Sequence, residues 1–488
     1  MRRQVLLPHA WGSGAVGAEG AFTDEFGRTS NRLAVGEGPS GPLCGPPPHR
    51  WGGETCICGW RSRVIYSQHD VAKWVIGGTI ALLLLSACSL GDLLNPGPTL
   101  TIGAIYPLSG PQAKGGEEEL GGVRAALEVA QKQGVVGASR IHLKVIDAQT
   151  PDQAVAAVDR LVDQDHVQVI IGTYGSTLAV AAAAEAEARK VVYWETGAVA
   201  DDVTNGKRYV FRTVATGSTL GRTAAQFTER VLMPGLALAP AATRVAIVHT
   251  NDFYGRSVAA GEAAEAAASG IGSVTSIEYD PHAYEPAMVV QQVAAARPDF
   301  LWDVSYLDDG VAVWKAVLAD HVPLRAAVGT SSAFCMPDFQ RMLGAKAIGV
   351  YAADKPDEVV GAGALTPAAR VLLAEAIARF AGDNHGQAME IPGVAGFVGG
   401  WTLFHDVLPK VHGAATSESV RSAAFTVDVP VGGEINGGGI QFAPPGSPDA
   451  GQNRRAAAVV GQWQAGGVMK VVYPSAYATG QAILSMTP

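Results

Sequence analysis

From Thr99 onward the chain alternates short apolar runs with stretches whose apolar positions recur at helical spacing. Residues 100–106 (LTIGAIY), 141–147 (IHLKVID), 167–172 (VQVIIG) and 191–194 read as strands, and 120–132, 151–164 and 178–189 as helices. Thr150-Pro151 supplies a hydroxyl cap followed by proline in the first turn, a start signal for the second of these helices. The segment 233–242 (MPGLALAPAA) interrupts the rhythm, which then resumes. Strands at 244–249, 273–278, 300–304 and 326–328 alternate there with helices at 256–268, 287–296 and 310–319. Strands separated by helices of 10–15 residues imply parallel sheets covered on both faces. About nine such units are more than one doubly wound sheet carries, so the expected fold class is α/β, with two doubly wound parallel-sheet lobes. A single (β/α)₈ barrel is the alternative. It is disfavoured because residues 425–473 turn β- and Gly-rich where a barrel would close on a helix.

The chain before Thr99 behaves differently. Residues 1–60 hold a Gly/Pro tract at 36–48 and no helical or strand period, as expected of a disordered or spurious extension. Cys56-Ile-Cys58 lacks the spacing and the second ligand pair of a zinc site. Arg61, Arg63 and Lys73 then precede an apolar run at 75–85, which is too short for a bilayer core needing about 20 residues. Residues 61–87 therefore read as an export signal. Leu85-Ser-Ala-Cys88 at its end resembles a bacterial lipoprotein signal, which makes Cys88 the lipidated first residue and 88–98 a short tether.

On that reading the working chain has 401 residues, with 28 basic against 39 acidic, a net charge of −11. Such an acidic balance argues against nucleic acid as a partner. Only Cys88 and Cys335 remain, so no structural disulfide is expected.

Open α/β sheets bind ligands beyond the carboxyl ends of their strands. The loops there are rich in small residues, hydroxyls and aromatics: Ser109-Gly110, Tyr174-Gly175-Ser176, Glu195-Thr196-Gly197-Ala198, Tyr254, Tyr306 and Ser331. Small residues let backbone N–H groups approach a ligand, and a helix N-terminus beyond them favours an anion. Each loop alone reads as ordinary turn and cap chemistry; six at one sheet edge in both halves shift the reading toward a cleft.

The order and spacing of these segments resemble the type I periplasmic-binding-protein family, specifically the branched-chain amino-acid binding proteins of ATP-driven importers. The matching segments are Ile102-Gly-Ala-Ile-Tyr-Pro-Leu-Ser-Gly110, Val169-Ile-Ile-Gly-Thr-Tyr-Gly-Ser176, Val245-Ala-Ile-Val-His-Thr-Asn-Asp-Phe-Tyr-Gly255, Pro298-Asp-Phe-Leu-Trp302 and Gly438-Gly-Ile-Gln-Phe442. The resemblance implies two lobes joined by three crossovers near Thr216, Asp354 and Val429. Lobe 1 would then be 99–216 plus 355–428, and lobe 2 217–354 plus 429–488. It further implies that Ser176 and the Gly197-Ala198 backbone hold a ligand carboxylate, with Tyr254 and Tyr306 facing it from the second lobe. Two positions depart from the family's amino-acid binders: Val199 replaces a hydroxyl, and Ser331 replaces the carboxylate that meets a ligand ammonium. Glu195, Asp303 or Asp308 could supply that charge; otherwise the ligand is an amide, urea-like or aromatic carboxylate compound. Trp194 and Trp302, at strand ends, either stack an apolar ligand or fill the core.

The implied partners are a small-molecule ligand, the permease subunits of an ABC importer, and the membrane through a lipid anchor, outside the cytoplasmic membrane. No cofactor or metal is expected. Catalysis is the rival class, but the chain holds no Gly-x-Ser-x-Gly elbow, no His-Glu-x-x-His and no phosphate loop. Glu117-Glu-Glu119 after Gly115-Gly116 would repel a phosphate, and Asp308-Asp-Gly310 lacks the other ligands of a calcium loop. A ligand sensor built on the same module is the second reading.

Overall fold

The computed structural model describes residues 99–484. The segments read as an upstream extension, an export signal and a tether, with Cys88, lie outside them. Five strands, β1 (Leu100–Tyr106), β2 (Ile141–Asp147), β3 (Val169–Gly172), β4 (Val192–Glu195) and β5 (Val210–Arg212), form an all-parallel sheet in the order β2-β1-β3-β4-β5. A second sheet of seven runs β12-β11-β10-β9-β8-β6-β7. Its strands are β6 (Arg244–Thr250), β7 (Ser273–Tyr279), β8 (Phe300–Val304), β9 (Ala326–Thr330), β10 (Tyr351–Asp354), β11 (Val459–Gln464) and β12 (Val468–Tyr473). The first five are parallel to one another; β11 and β12 are antiparallel. Two sheets exclude the single barrel.

Each sheet is buried on both faces, because successive side chains point to opposite sides. On one face of the first sheet, Ile102, Ala104, Ile171 and Trp194 meet helices α1 (Ala113–Lys132) and α10 (Ile391–Trp401). On the other, Ile105, Ile170 and Tyr193 meet α2 (Pro151–Asp163) and α3 (Ser176–Arg189). The second sheet turns Val248, Leu301 and Ala352 toward α6 (Pro286–Ala296), α7 (Leu307–Ala319) and α8 (Pro337–Leu343). Its other face turns Ile247, Trp302 and Tyr351 toward α4 (Gly217–Phe227) and α5 (Phe253–Ala268). One long helix, α9 (Pro367–Asp383), flanks α1. Both tryptophans belong to the cores. Trp194 donates its indole N–H to Gly399 O (2.9 Å), and Trp302 donates to the Thr228 hydroxyl (3.1 Å).

Helices α1 and α10 lie unusually close. A Cβ on Gly396 would stand 2.0 Å from Glu119 O, and one on Gly122 2.0 Å from Gly393 O. Only glycine permits that approach, and it brings the Ile391-Pro392 start of α10 and Glu119 of α1 to the same cleft.

The chain passes between the sheets after β5 and after β10. The third passage differs from expectation. Residues after Val429 do not join the second lobe at once, because Ile435, Ile440 and Phe442 fill the first core. Gln452 still pairs with Arg212 of β5 and accepts its buried Nε–H at 2.6 Å. The chain enters the second sheet only at Val459.

Candidate ligand-binding site

The carboxyl ends of the two sheets face each other across a cleft lined from both sides. On the first side, β3 ends in Thr173-Tyr-Gly-Ser176 and runs straight into α3. Gly175 caps that helix without a side-chain bond, so its first-turn N–H groups point at the cleft with the positive end of the helix dipole behind them. Ser176 is the first residue of α3. Its Oγ accepts the N–H of Val199 (3.3 Å) and of Ala200 (3.2 Å), which leaves its own proton to donate. The Tyr174 ring lies over Gly115, where any Cβ would stand 2.3 Å from it, and so narrows the cleft.

The next loop is anchored from beneath by Glu195, which is fully buried. Its Oε1 accepts the N–H of Thr196 (2.9 Å), Gly197 (2.8 Å) and Ala198 (2.7 Å), and its Oε2 those of Thr173 (2.9 Å) and the Tyr193 hydroxyl (3.0 Å). Burial raises its pKa to about 7, with the hydrogen bonds pulling against that rise. Glu195 is therefore turned inward, and the Gly197 and Ala198 amides expected to hold a carboxylate are already committed to it.

From the second lobe, Asp252 caps α5 by accepting Gly255 N–H at 2.9 Å and also accepts the Tyr306 hydroxyl at 2.5 Å. Tyr254 donates its hydroxyl to Thr330 O. The Tyr254 and Tyr306 rings lie 5.2 Å apart at 47°, an apolar wall whose polar ends are tied back into the lobe. Ser331 and Ser332, after β9, hold positive φ (53° and 26°), a strained turn at the cleft surface. The second passage adds Asp354 and Lys355. The Lys355 ammonium reaches Gly197 O (3.4 Å) and Asp354 Oδ1 (3.3 Å).

Of the residues expected at the site, Tyr174, Gly175, Ser176, Gly197, Ala198, Tyr254, Tyr306 and Ser331 line this cleft. The others do not. Ser109 bonds to Asp147 and Gln149 at the outer end of β1, and Gly110 beside it is exposed. Thr196 hydrogen-bonds Glu119 (2.5 Å) and Tyr106 (2.8 Å) beneath the loop. Asp308 is exposed in the first turn of α7, and Asp303 is buried within the second lobe.

Sequence reasoning missed Glu119, Met336, Asp354, Lys355 and the Ile391-Pro392 start of α10, all of which line the cleft. Glu119 is fully buried with Oε2 unpartnered, and burial followed by the nearby Glu195 charge holds its pKa well above the usual range. Among the described residues no three His, Cys, Asp or Glu side chains converge as a metal site.

The family model for periplasmic binding proteins matches residues 99–471. The chain belongs to that family. Among the relatives of this periplasmic binding protein is Leu/Ile/Val-binding protein homolog 8 of Brucella suis biovar 1 (strain 1330). It is 28% identical over 407 residues, covering 83% of this chain and 96% of that one. Of solved structures, the leucine-binding protein LivK of Thermotoga maritima superposes with TM-score 0.64 at 18% identity, over 76% of this chain and 97% of that one. A solute-binding protein of an ABC transporter from R. palustris, in complex with 4-hydroxybenzoate, superposes with TM-score 0.63 at 19% identity, over 76% and 95%. Both structures share the fold.

In this periplasmic binding protein the lobes touch around the cleft. Lys114 of α1 pairs with Asp338 of α8, and Asp201 N–H meets the Ser257 hydroxyl of α5 at 3.1 Å. These contacts describe a closed arrangement.

Proposed function

We propose that this protein captures a small carboxylate-bearing solute between its lobes and presents it to the permease of an ABC importer, without chemical turnover. One observation carries the reading: the uncapped N-terminus of α3 with its Ser176 hydroxyl and the Lys355 ammonium open into a single cleft. A helix N-terminus, a free hydroxyl proton and an ammonium together suit an anion. The relatives support the class, since they are named for leucine, isoleucine and valine, and one neighbour holds 4-hydroxybenzoate.

The movement is hinge closure about the three passages. The first lobe takes the carboxylate beside Lys355 of the second passage, and contacts from Tyr254 and Tyr306 then favour the closed state. Only that difference in affinity can shift the equilibrium. Ser176→Ala and Tyr306→Ala are each expected to weaken binding about 10- to 100-fold, as for loss of a charge-assisted bond or a packed anchor, while both variants stay folded. Unchanged affinity of both variants in calorimetric titration removes the site assignment.

Export and anchoring form the second part of the proposal, with lipid on Cys88 and the lobes outside the cytoplasmic membrane. Basic flank, short apolar run, small residues and cysteine follow in the order such a signal needs. Metabolic labelling with a fatty acid should mark the wild-type chain and not Cys88→Ser; equal labelling of both defeats the anchor.

A further inference from the structure

Apart from the Ser331 and Ser332 hydroxyls, the oxygens lining the cleft that could meet an ammonium are already engaged or act as donors. An α-amino acid brings three N–H donors on its ammonium, and each needs an oxygen once water is excluded. Gly197 O, a carbonyl of the first lobe's loop at the cleft, already takes Lys355 Nζ at 3.4 Å. Asp354 is spent as well. Its Oδ1 lies 3.3 Å from the same ammonium and accepts Lys355 N–H at 2.7 Å, while its Oδ2 takes the Cys335 thiol at 2.7 Å. Glu119 gives one oxygen to Thr196. Its other oxygen is buried without a partner, and burial favours the protonated acid, which donates. The Ser176 proton and the first-turn amides of α3 are donors too.

Lys355 thus stands where a ligand ammonium would find its acceptors, and its side chain is nine-tenths buried. A second cation brought beside it would meet a like charge in a site from which water is largely displaced. A carboxylate meets the opposite: an ammonium, a hydroxyl proton and a helix N-terminus. The tilted Tyr254 and Tyr306 rings, with Met336 beyond them, leave an apolar wall for the rest of the molecule.

We infer that Lys355 makes this cleft selective for carboxylates that carry no ammonium, aromatic acids or branched 2-oxo acids, over the corresponding α-amino acids. The inference rests on the carboxylate-solute reading above and narrows it.

The test is calorimetric titration of the full chain with leucine, with 4-methyl-2-oxopentanoate, in which a carbonyl oxygen replaces leucine's α-ammonium and α-hydrogen, with benzoate, and with urea and acetamide as neutral probes. At least one of the two acids should bind roughly 30-fold more tightly than leucine, the scale of a lost ion pair against a gained one. In Lys355→Met the affinity for that acid should fall at least about tenfold, while leucine loses less. Leucine binding as tightly as both acids to the wild-type chain overturns the inference and leaves the carboxylate reading standing. So does unchanged acid affinity in Lys355→Met. Binding of urea or acetamide with none of the three carboxylates overturns both.

Discussion

Glu195 at the end of β4 and Asp303 near the end of β8 occupy comparable places in the two sheets, and both are buried. Their surroundings diverge. Glu195 receives five donors, four of them backbone amides of the two loops that form the first wall of the cleft. Asp303 receives the Ser305 hydroxyl on one oxygen and has no partner on the other. Burial lifts both acids, Glu195 to about 7 and Asp303 to about 8. Beyond Ser305 the second lobe continues through hydroxyls: Tyr279 OH lies 2.7 Å from Ser305 Oγ and 2.5 Å from Asp309 Oδ2. The difference shows how labour divides across the cleft. The first wall is backbone, fixed by a carboxylate beneath it before any ligand arrives. The second is side chains, above all the Tyr254 and Tyr306 rings, which come to the ligand as the lobes close.

The largest effect should follow from disturbing the better-satisfied acid. Glu195→Gln puts an amide NH2 where an oxygen now accepts backbone N–H groups, so at least one donor faces another donor in a dry site. We expect a loss of about 2–4 kcal/mol, in the range for breaking a buried, hydrogen-bonded charge, read as a lower urea midpoint with the slope unchanged. Ligand affinity should fall with it, because loops 173–176 and 196–198 share that anchor. A loss below about 1 kcal/mol, no more than an ordinary surface substitution, would mean the loops hold their shape without Glu195 and would erase the contrast between the walls.

How much of this was legible beforehand depended on which residues carried a pattern. β1, β2 and β8 run as read from the chain, because β1 and β8 are sharply bounded apolar runs and β2 alternates apolar with polar residues. β5 was missed: it has three residues, and one is Arg212, buried against Gln452, Ala200 O and Thr204, a partnership no local pattern reveals. α10 was missed for the opposite reason. Gly393, Gly396, Gly399 and Gly400 argue against a helix by propensity, yet the missing side chains at Gly396 and Gly400 are what let it lie on α1, and that at Gly399 lets it lie on Thr196. At the site, Ser176, Tyr254 and Tyr306 were legible because strand-end loops of such sheets face ligands. Glu195 was misread, since a carboxylate in such a loop can turn outward to solute or inward to amides, and only the fold decides. Lys355 was invisible because it follows β10, a four-residue strand absent from the sequence reading, and Glu119 was hidden in an acidic run.

The smaller effect separates the two acids by pH. Asp303→Asn imitates the protonated acid that burial favours, keeping an acceptor for Ser305, and should change stability by under about 1 kcal/mol near pH 4, where wild type is itself protonated in the folded state. In the unfolded chain an aspartate releases its proton near pH 4, while the folded lobe holds it to about pH 8. Between those limits the folded state binds more protons than the unfolded one, so wild-type stability falls as pH rises. The Asp303 contribution to that fall is absent below pH 4 and complete above pH 8. Asp303→Asn removes it. Wild type and variant should therefore unfold at similar urea concentrations near pH 4 and diverge as pH rises, with the variant the more stable above pH 8. Parallel curves across that range would mean that Asp303 is as well solvated as Glu195 is well bonded, and that the second wall is not the looser of the two.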